Sequence, residues 1–221
     1  MTATSTMTGY SAAMVSSDID REAVARLRYE VYIAEQGKPY PEADHERGLF
    51  LDDLDHGAGI VLVRDGQGDA IGTVRGNVID SLSIAAFYRR VFEFGRFGNM
   101  PQEQLGVCSR LAVLAKHRHS AVCDLLFETI FAYGIEKRTR LCFAACAPAL
   151  LRLFRHYGFR EYASPIEDPH AGTLRRTVLV LDDTPFLESI QSPFFTIALA
   201  NGLTSVDRPW LNAIFQGFAA K

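Results

Sequence analysis

Two apolar runs, Gly59 to Arg64 (GIVLVR) and Ala70 to Val78 (AIGTVRGNV), flank the polar stretch Asp65-Gly66-Gln67-Gly68-Asp69. Short strand-like runs joined through a glycine-bearing turn predict an antiparallel hairpin. Parallel neighbours need a crossover of a dozen or more residues, which this turn does not supply. The two runs are therefore expected to pair antiparallel.

The rest of the chain is read around it. Tyr10 to Val15 predicts a short strand, and Ser17-x-x-Asp20 a capping box. The helix that follows carries Ile19, Val24, Leu27 and Val31 on one stripe. Gly37 ends it, and Pro39 and Pro41 forbid its continuation. Tyr40 to His56 is a polar, acidic loop. Ser83 to Phe94 has helical spacing, and Gly106 to Leu114 (GVCSRLAVL) is a strand. A basic turn, Lys116-His117-Arg118-His119, leads into a helix over Ser120 to Glu136. Leu141 to Cys146 is a strand, Pro148 opens a helix that stops at Gly158, and Phe159 to Ala163 and Arg176 to Leu181 are a final strand pair. These spans predict a disordered N-terminus (1–9), an α/β (α+β) domain (10–182) and a helical C-terminal appendage (183–221) packed on it.

With 221 residues and a formal net charge of -3, the chain has no global bias toward nucleic acid or acidic lipid, and no basic tract or zinc-ligand spacing marks a nucleic-acid module. No apolar run is long enough to span a membrane, and the Thr/Ser-rich start lacks the features of a signal peptide. The expectation is a cytoplasmic protein. Its four cysteines, Cys108, Cys123, Cys142 and Cys146, read as free thiols of a reducing compartment, with no metal site.

The order of helix, hairpin, strand, basic turn, helix, strand and a helix ending in Tyr157-Gly158-Phe159 resembles the GNAT acyltransferase fold, which implies a mixed, mostly antiparallel sheet flanked by helices and splayed at Gly106 to Leu114. The match runs from Tyr10 to Leu181. Ser109-Arg110-Leu111-Ala112-Val113 and Leu150 to Phe159 carry it best. Within that superfamily, Leu27-Arg28-Tyr29-Glu30-Val31-Tyr32, Asp52-x-x-Asp55 and Gly72-Thr73-Val74-Arg75 are similar to the acyl-homoserine lactone synthases and to the long-chain N-acyl amino acid synthases. The resemblance implies an acyltransferase with no permanently bound cofactor. Its donor would be an acyl thioester on the phosphopantetheine of acyl carrier protein, or acyl-CoA. Its acceptor would be an amino acid or another small amine. Lactone synthases usually carry Glu three residues before the motif arginine, where Val107 stands here. The common cofactor loop carries glycines where Ala121 and, as its last glycine or alanine, Cys123 stand.

The residues then take candidate roles. If the sheet is splayed, N–H groups near Leu111 and Val113 are placed for the thioester carbonyl, and preplaced donors for an oxyanion are the largest catalytic contribution in acyl transfer. Lys116, His117, Arg118, Ser120, Ala121 and Val122 form a basic turn at a helix start, which suits a phosphate; the competing description is a solvated basic turn. Arg28, Asp55 and Arg75, with Asp52 and Arg110, form either a charged pocket for the amine or an ion-pair network holding the N-terminal loop. Asp52, acting through water, is the candidate base. Phe87, Phe92, Phe94, Phe97, Phe127, Phe131 and Phe143 are either the lining of an acyl tunnel or ordinary core. Three functions are carried forward: carrier-dependent N-acylation, acyl transfer from CoA or lactone-type synthesis, and a degenerate domain that only binds carrier or acyl-CoA.

Overall fold

The computed structural model describes residues 5–7, 9–79, 82–98, 100–216 and 218. Contacts divide the chain into two units, Met1–Asn77 with Cys108–Tyr133, and Val78–Val107 with Gly134–Lys221.

In the first unit, β1 (Ser5–Met7), β2 (Tyr10–Met14), β5 (Gly59–Arg64) and β6 (Ala70–Val78) pair antiparallel in succession. Ser5–Met7 lies within the span expected to be disordered, and Gly9, at φ +85°, supplies the left-handed turn beside β2. Residues 1–4 and 8 lie outside the described residues. Helix α1 (Asp18–Arg28) is capped by Ser17, whose Oγ accepts from the Asp20 N–H at 3.1 Å and donates to the Asp20 carboxylate at 2.7 Å. The run continues as a π-helix over Tyr29–Glu35 before Gly37 ends it at φ +63°. Inside the acidic loop, β3 (Ala43–Asp44) pairs with β4 (Leu49–Phe50). Val24, Leu27, Val31, Tyr32, Phe50 and Ile60 form the core beneath.

Helix α3 (Val122–Glu136) lies unusually close to its sheet. A Cβ added at Gly72 would meet Val122 at 2.6 Å, one at Gly76 would meet Ile130 at 2.8 Å, and one at Gly59 would meet the Tyr133 ring at 2.4 Å. Three side-chain-free positions thus fix the depth of α3 and the place where it starts.

The second unit holds α2 (Leu82–Phe92), the first residues of β7 (Leu105–Val113), β8 (Leu141–Cys146), α4 (Leu151–Tyr157), β9 (Arg160–Asp168) and β10 (Gly172–Val180). Here β7 pairs parallel with β8 over Leu105–Val107 against Leu141–Phe143. The other pairings, β8 with β10 and β10 with β9, are antiparallel. The result is the mixed, mostly antiparallel sheet flanked by helices that the resemblance implied. Phe92, Phe94, Phe97 and Phe143 pack on one another and on Tyr162, which makes them core, whereas Phe87 is 58% exposed.

The C-terminal helices α5 (Thr184–Ser189), α6 (Phe194–Ala200) and α7 (Pro209–Gln216) belong to this unit. The Arg160 guanidinium lies 4.1 Å from the Phe186 ring and 4.0 Å from that of Phe215, and it pairs with Asp183 at 2.7 Å. Arg208 grips the buried Asp182 through two 2.8 Å bonds.

Candidate active site

The Asp52-x-x-Asp55 spacing folds into a single 3₁₀ turn that caps itself. The Leu54 N–H donates to the Asp52 carboxylate at 3.0 Å, and the Asp52 N–H donates to that of Asp55 at 2.9 Å. Both carboxylates therefore face one direction, toward three arginines supplied by three elements. From α1, Arg28 Nη1 donates to both Asp55 oxygens at 2.7 and 2.9 Å. From β6, Arg75 Nη1 pairs with Asp52 and lies 3.2 Å from Asp55 Oδ1, while its Nε donates to Ser109 Oγ at 3.1 Å. From β7, Arg110 donates to Asp52 Oδ2 through Nε at 2.9 Å and Nη2 at 2.5 Å. All five candidates form one connected cluster within the first unit.

Burial alone would raise the Asp52 and Asp55 carboxyls. For Asp52 the Arg75 and Arg110 cations outweigh it, and for Asp55 those of Arg28 and Arg75, so both are held below the usual carboxylate range. Burial lowers Arg28 against the pull of Asp55. Arg28 Nε and Nη2 are buried without a hydrogen-bond partner. The side chains of Arg28, Arg75 and Arg110 are 0%, 2% and 18% exposed, so Arg110 alone of the three reaches a surface.

Arg110 is held from every side. Its backbone is left-handed at φ +54°, a conformation uncommon outside glycine and frequent at binding sites. Its guanidinium sits 4.7 Å from the Tyr40 ring and 4.9 Å from that of Phe50, and these two rings stack at 4.8 Å. The next residue, Leu111, accepts at its carbonyl from the Tyr32 hydroxyl at 2.7 Å. Sequence reasoning gave no role to Tyr32 or Ser109, though both lie in quoted motifs, and did not single out Tyr40 or Phe50. Tyr32 had a signal, since it stands one helical turn after Arg28; the two loop aromatics had none.

The basic turn follows β7. Ala115–His117 forms a 3₁₀ turn, and His119 is left-handed at φ +62°. Ser120 Oγ donates to the His117 carbonyl at 2.6 Å. Lys116 is exposed and Ala121 half-buried, while Val122 is packed against the sheet at Gly72. Arg118 Nε donates to the Val113 carbonyl at 3.1 Å, and its Nη2 to Glu35 at 2.7 Å. Cys108, buried beside the cluster, has its thiol pushed up to about 12 by burial. A thiol held protonated in this way is a poor nucleophile. Among the described residues no group of three or more His, Cys, Asp or Glu is placed to hold a metal, and no helix is long and apolar enough to cross a membrane.

The family model described as N-acyl amino acid synthase FeeM matches residues 23–180, which include the cluster and the basic turn. No curated protein matches the chain. Among solved structures, FeeM, an N-acyl amino acid synthase from uncultured soil microbes, is 15% identical with a TM-score of 0.63, over 85% of this chain and 97% of that one. TofI in a ternary complex with an inhibitor and MTA is 16% identical with a TM-score of 0.62, over 84% and 97%. BjaI, a CoA-dependent acyl-homoserine lactone synthase with SAM and isopentyl-CoA, is 18% identical with a TM-score of 0.58, over 90% and 91%. At these identities the structural likeness speaks for a shared GNAT-like fold.

Proposed function

The chain belongs to the N-acyl amino acid synthase FeeM family and is an acyltransferase, and from that premise we propose that it joins a long-chain acyl group, delivered as a thioester on acyl carrier protein, to the amine of an amino acid. The observation that carries this reading is the charge count of the cluster. Three guanidiniums meet two ionised carboxylates, which leaves the cluster with an excess of one positive charge, and Arg110 is the one of the three that reaches a surface. An amino acid brings the missing carboxylate, and its amine is then held near β7.

In the proposed reaction the free amine nitrogen attacks the thioester carbonyl and loses a proton to solvent, the oxyanion collapses, the C–S bond breaks, and the thiolate leaves and is protonated by solvent. N–H groups near Leu111 and Val113 are the candidates for the oxyanion, and Lys116, Arg118 and the start of α3 for the donor phosphate, with His117, Ser120, Ala121 and Val122 shaping the turn. Asp52 is recast here. A carboxylate whose two oxygens accept from two arginines is a weak base, so we assign it to positioning Arg75 and Arg110. About a tenth of an α-amino group is already free at neutral pH, and solvent takes the ammonium proton. Val107, at the usual lactone-synthase glutamate position, favours a linear amide. The four free cysteines suit a reducing cytoplasm.

Product analysis by mass spectrometry with hexadecanoyl-carrier protein and hexadecanoyl-CoA, each with a panel of amino acids, tests the proposal. The expected outcome is an N-acyl amino acid formed with higher kcat/KM from the carrier. Equal or better turnover from the CoA thioester would overturn the choice of carrier, and donor binding without product would favour a binding module.

A further inference from the structure

Arg118 stands just after the 3₁₀ turn that follows β7, with its guanidinium already engaged. Nε is tied to the Val113 carbonyl at 3.1 Å, and Nη2 to the Glu35 carboxylate at 2.7 Å. A guanidinium takes an oxyanion side by side on one of two paired edges, and both edges include Nη2. Glu35 holds that nitrogen. Glu35 is the last residue of the π-helical run, so this contact joins α1's helical extension to the basic turn. Both side chains are about a third exposed, at 37% for Arg118 and 35% for Glu35, so the pair is open to exchange and weakly held.

We infer that Glu35 is an internal stand-in for the donor phosphate, which must displace it from Arg118 before the donor is fully seated. The inference rests on the assignment of the Lys116–Val122 turn to the donor phosphate. One carboxylate competing for one cation lowers donor affinity by a set factor, so Glu35 tunes that affinity without touching the acyl group or the amine.

Isothermal titration of the full chain with 4′-phosphopantetheine, and with pantetheine lacking the phosphate, tests this at low salt. Glu35→Gln should tighten phosphopantetheine about two- to fivefold, the range an exposed ion pair supplies, and leave pantetheine unchanged. Arg118→Gln should weaken phosphopantetheine, and adding Glu35→Gln to it should change nothing further. Higher salt should shrink all these differences. If Arg118→Gln weakens binding while Glu35→Gln does nothing, the role of Glu35 is overturned and the donor site stands. If Glu35→Gln strengthens both ligands alike, Glu35 acts on something other than the phosphate, and the inference is wrong. If Arg118→Gln has no effect, or the wild type takes up neither compound, the donor-site assignment falls and the inference with it.

Discussion

Arg28 has no exposed surface and rests its charge on Asp55 through two short bonds. Removing one partner of a buried pair leaves the other uncompensated, so Asp55→Asn should cost about 3–5 kcal/mol in urea unfolding. Both aspartates are held below their ordinary range in the folded protein. Their stabilisation is therefore fully present above the unfolded carboxyl value of about 3.9 and is lost as pH falls through the folded values. The stability gap between wild type and Asp55→Asn should stay constant near neutrality and close on acidification below about pH 4. A gap that widens toward acid would contradict the ion-pair account. At Arg110, Lys retains the charge but not the two-nitrogen grip on Asp52, so Arg110→Lys should raise the amine KM at least tenfold with the donor KM little changed. Much of this was legible in the residues: Asp52-x-x-Asp55 and the buried stripe of α1 were enough to expect one charged cluster. The Tyr40–Phe50 stack was not, because loop positions have no periodicity to read. Nor was the left-handed backbone of Arg110, which no glycine or asparagine announces.

Among the elements, α3 is placed by absence of side chains. Gly72→Ala puts a Cβ 2.6 Å from Val122, and overpacking of this kind costs about 1–3 kcal/mol. Because Val122 opens α3 right after the basic turn, the donor KM should rise as stability falls. Trimming the obstruction in Gly72→Ala/Val122→Ala should restore both; a double variant as impaired as the single one would show that the contact is not the cause. The hairpin was legible because β-branched runs meet at a glycine turn. The π-helical run was not, since apolar spacing continues across it unchanged. Strands β9 and β10 extend well beyond the short pair expected, over Arg160–Asp168 and Gly172–Val180. Register shifts around Arg176 break the alternation that marks a strand, and Ser164-Pro165 reads locally as a turn.

At the scale of the whole chain, helical spacing marked off residues 183–221 as an appendage packed on the domain, and contacts group these helices with the second unit. Deleting residues 209–221 would strip Phe215 from Arg160 and uncover Phe97, whose ring lies 6.3 Å from that of Trp210. The truncated protein should melt several degrees lower and show increased binding of a hydrophobic dye. Unchanged melting would mean that α7 adds nothing to the unit. The thiols, finally, bear on how turnover is followed. Burial raises those of Cys108, Cys123 and Cys146, which keeps them in the form that reacts slowly with electrophiles. A thioester donor liberates one thiol per acyl group moved, so a thiol-reactive chromophore should record the reaction continuously with little background from these three thiols.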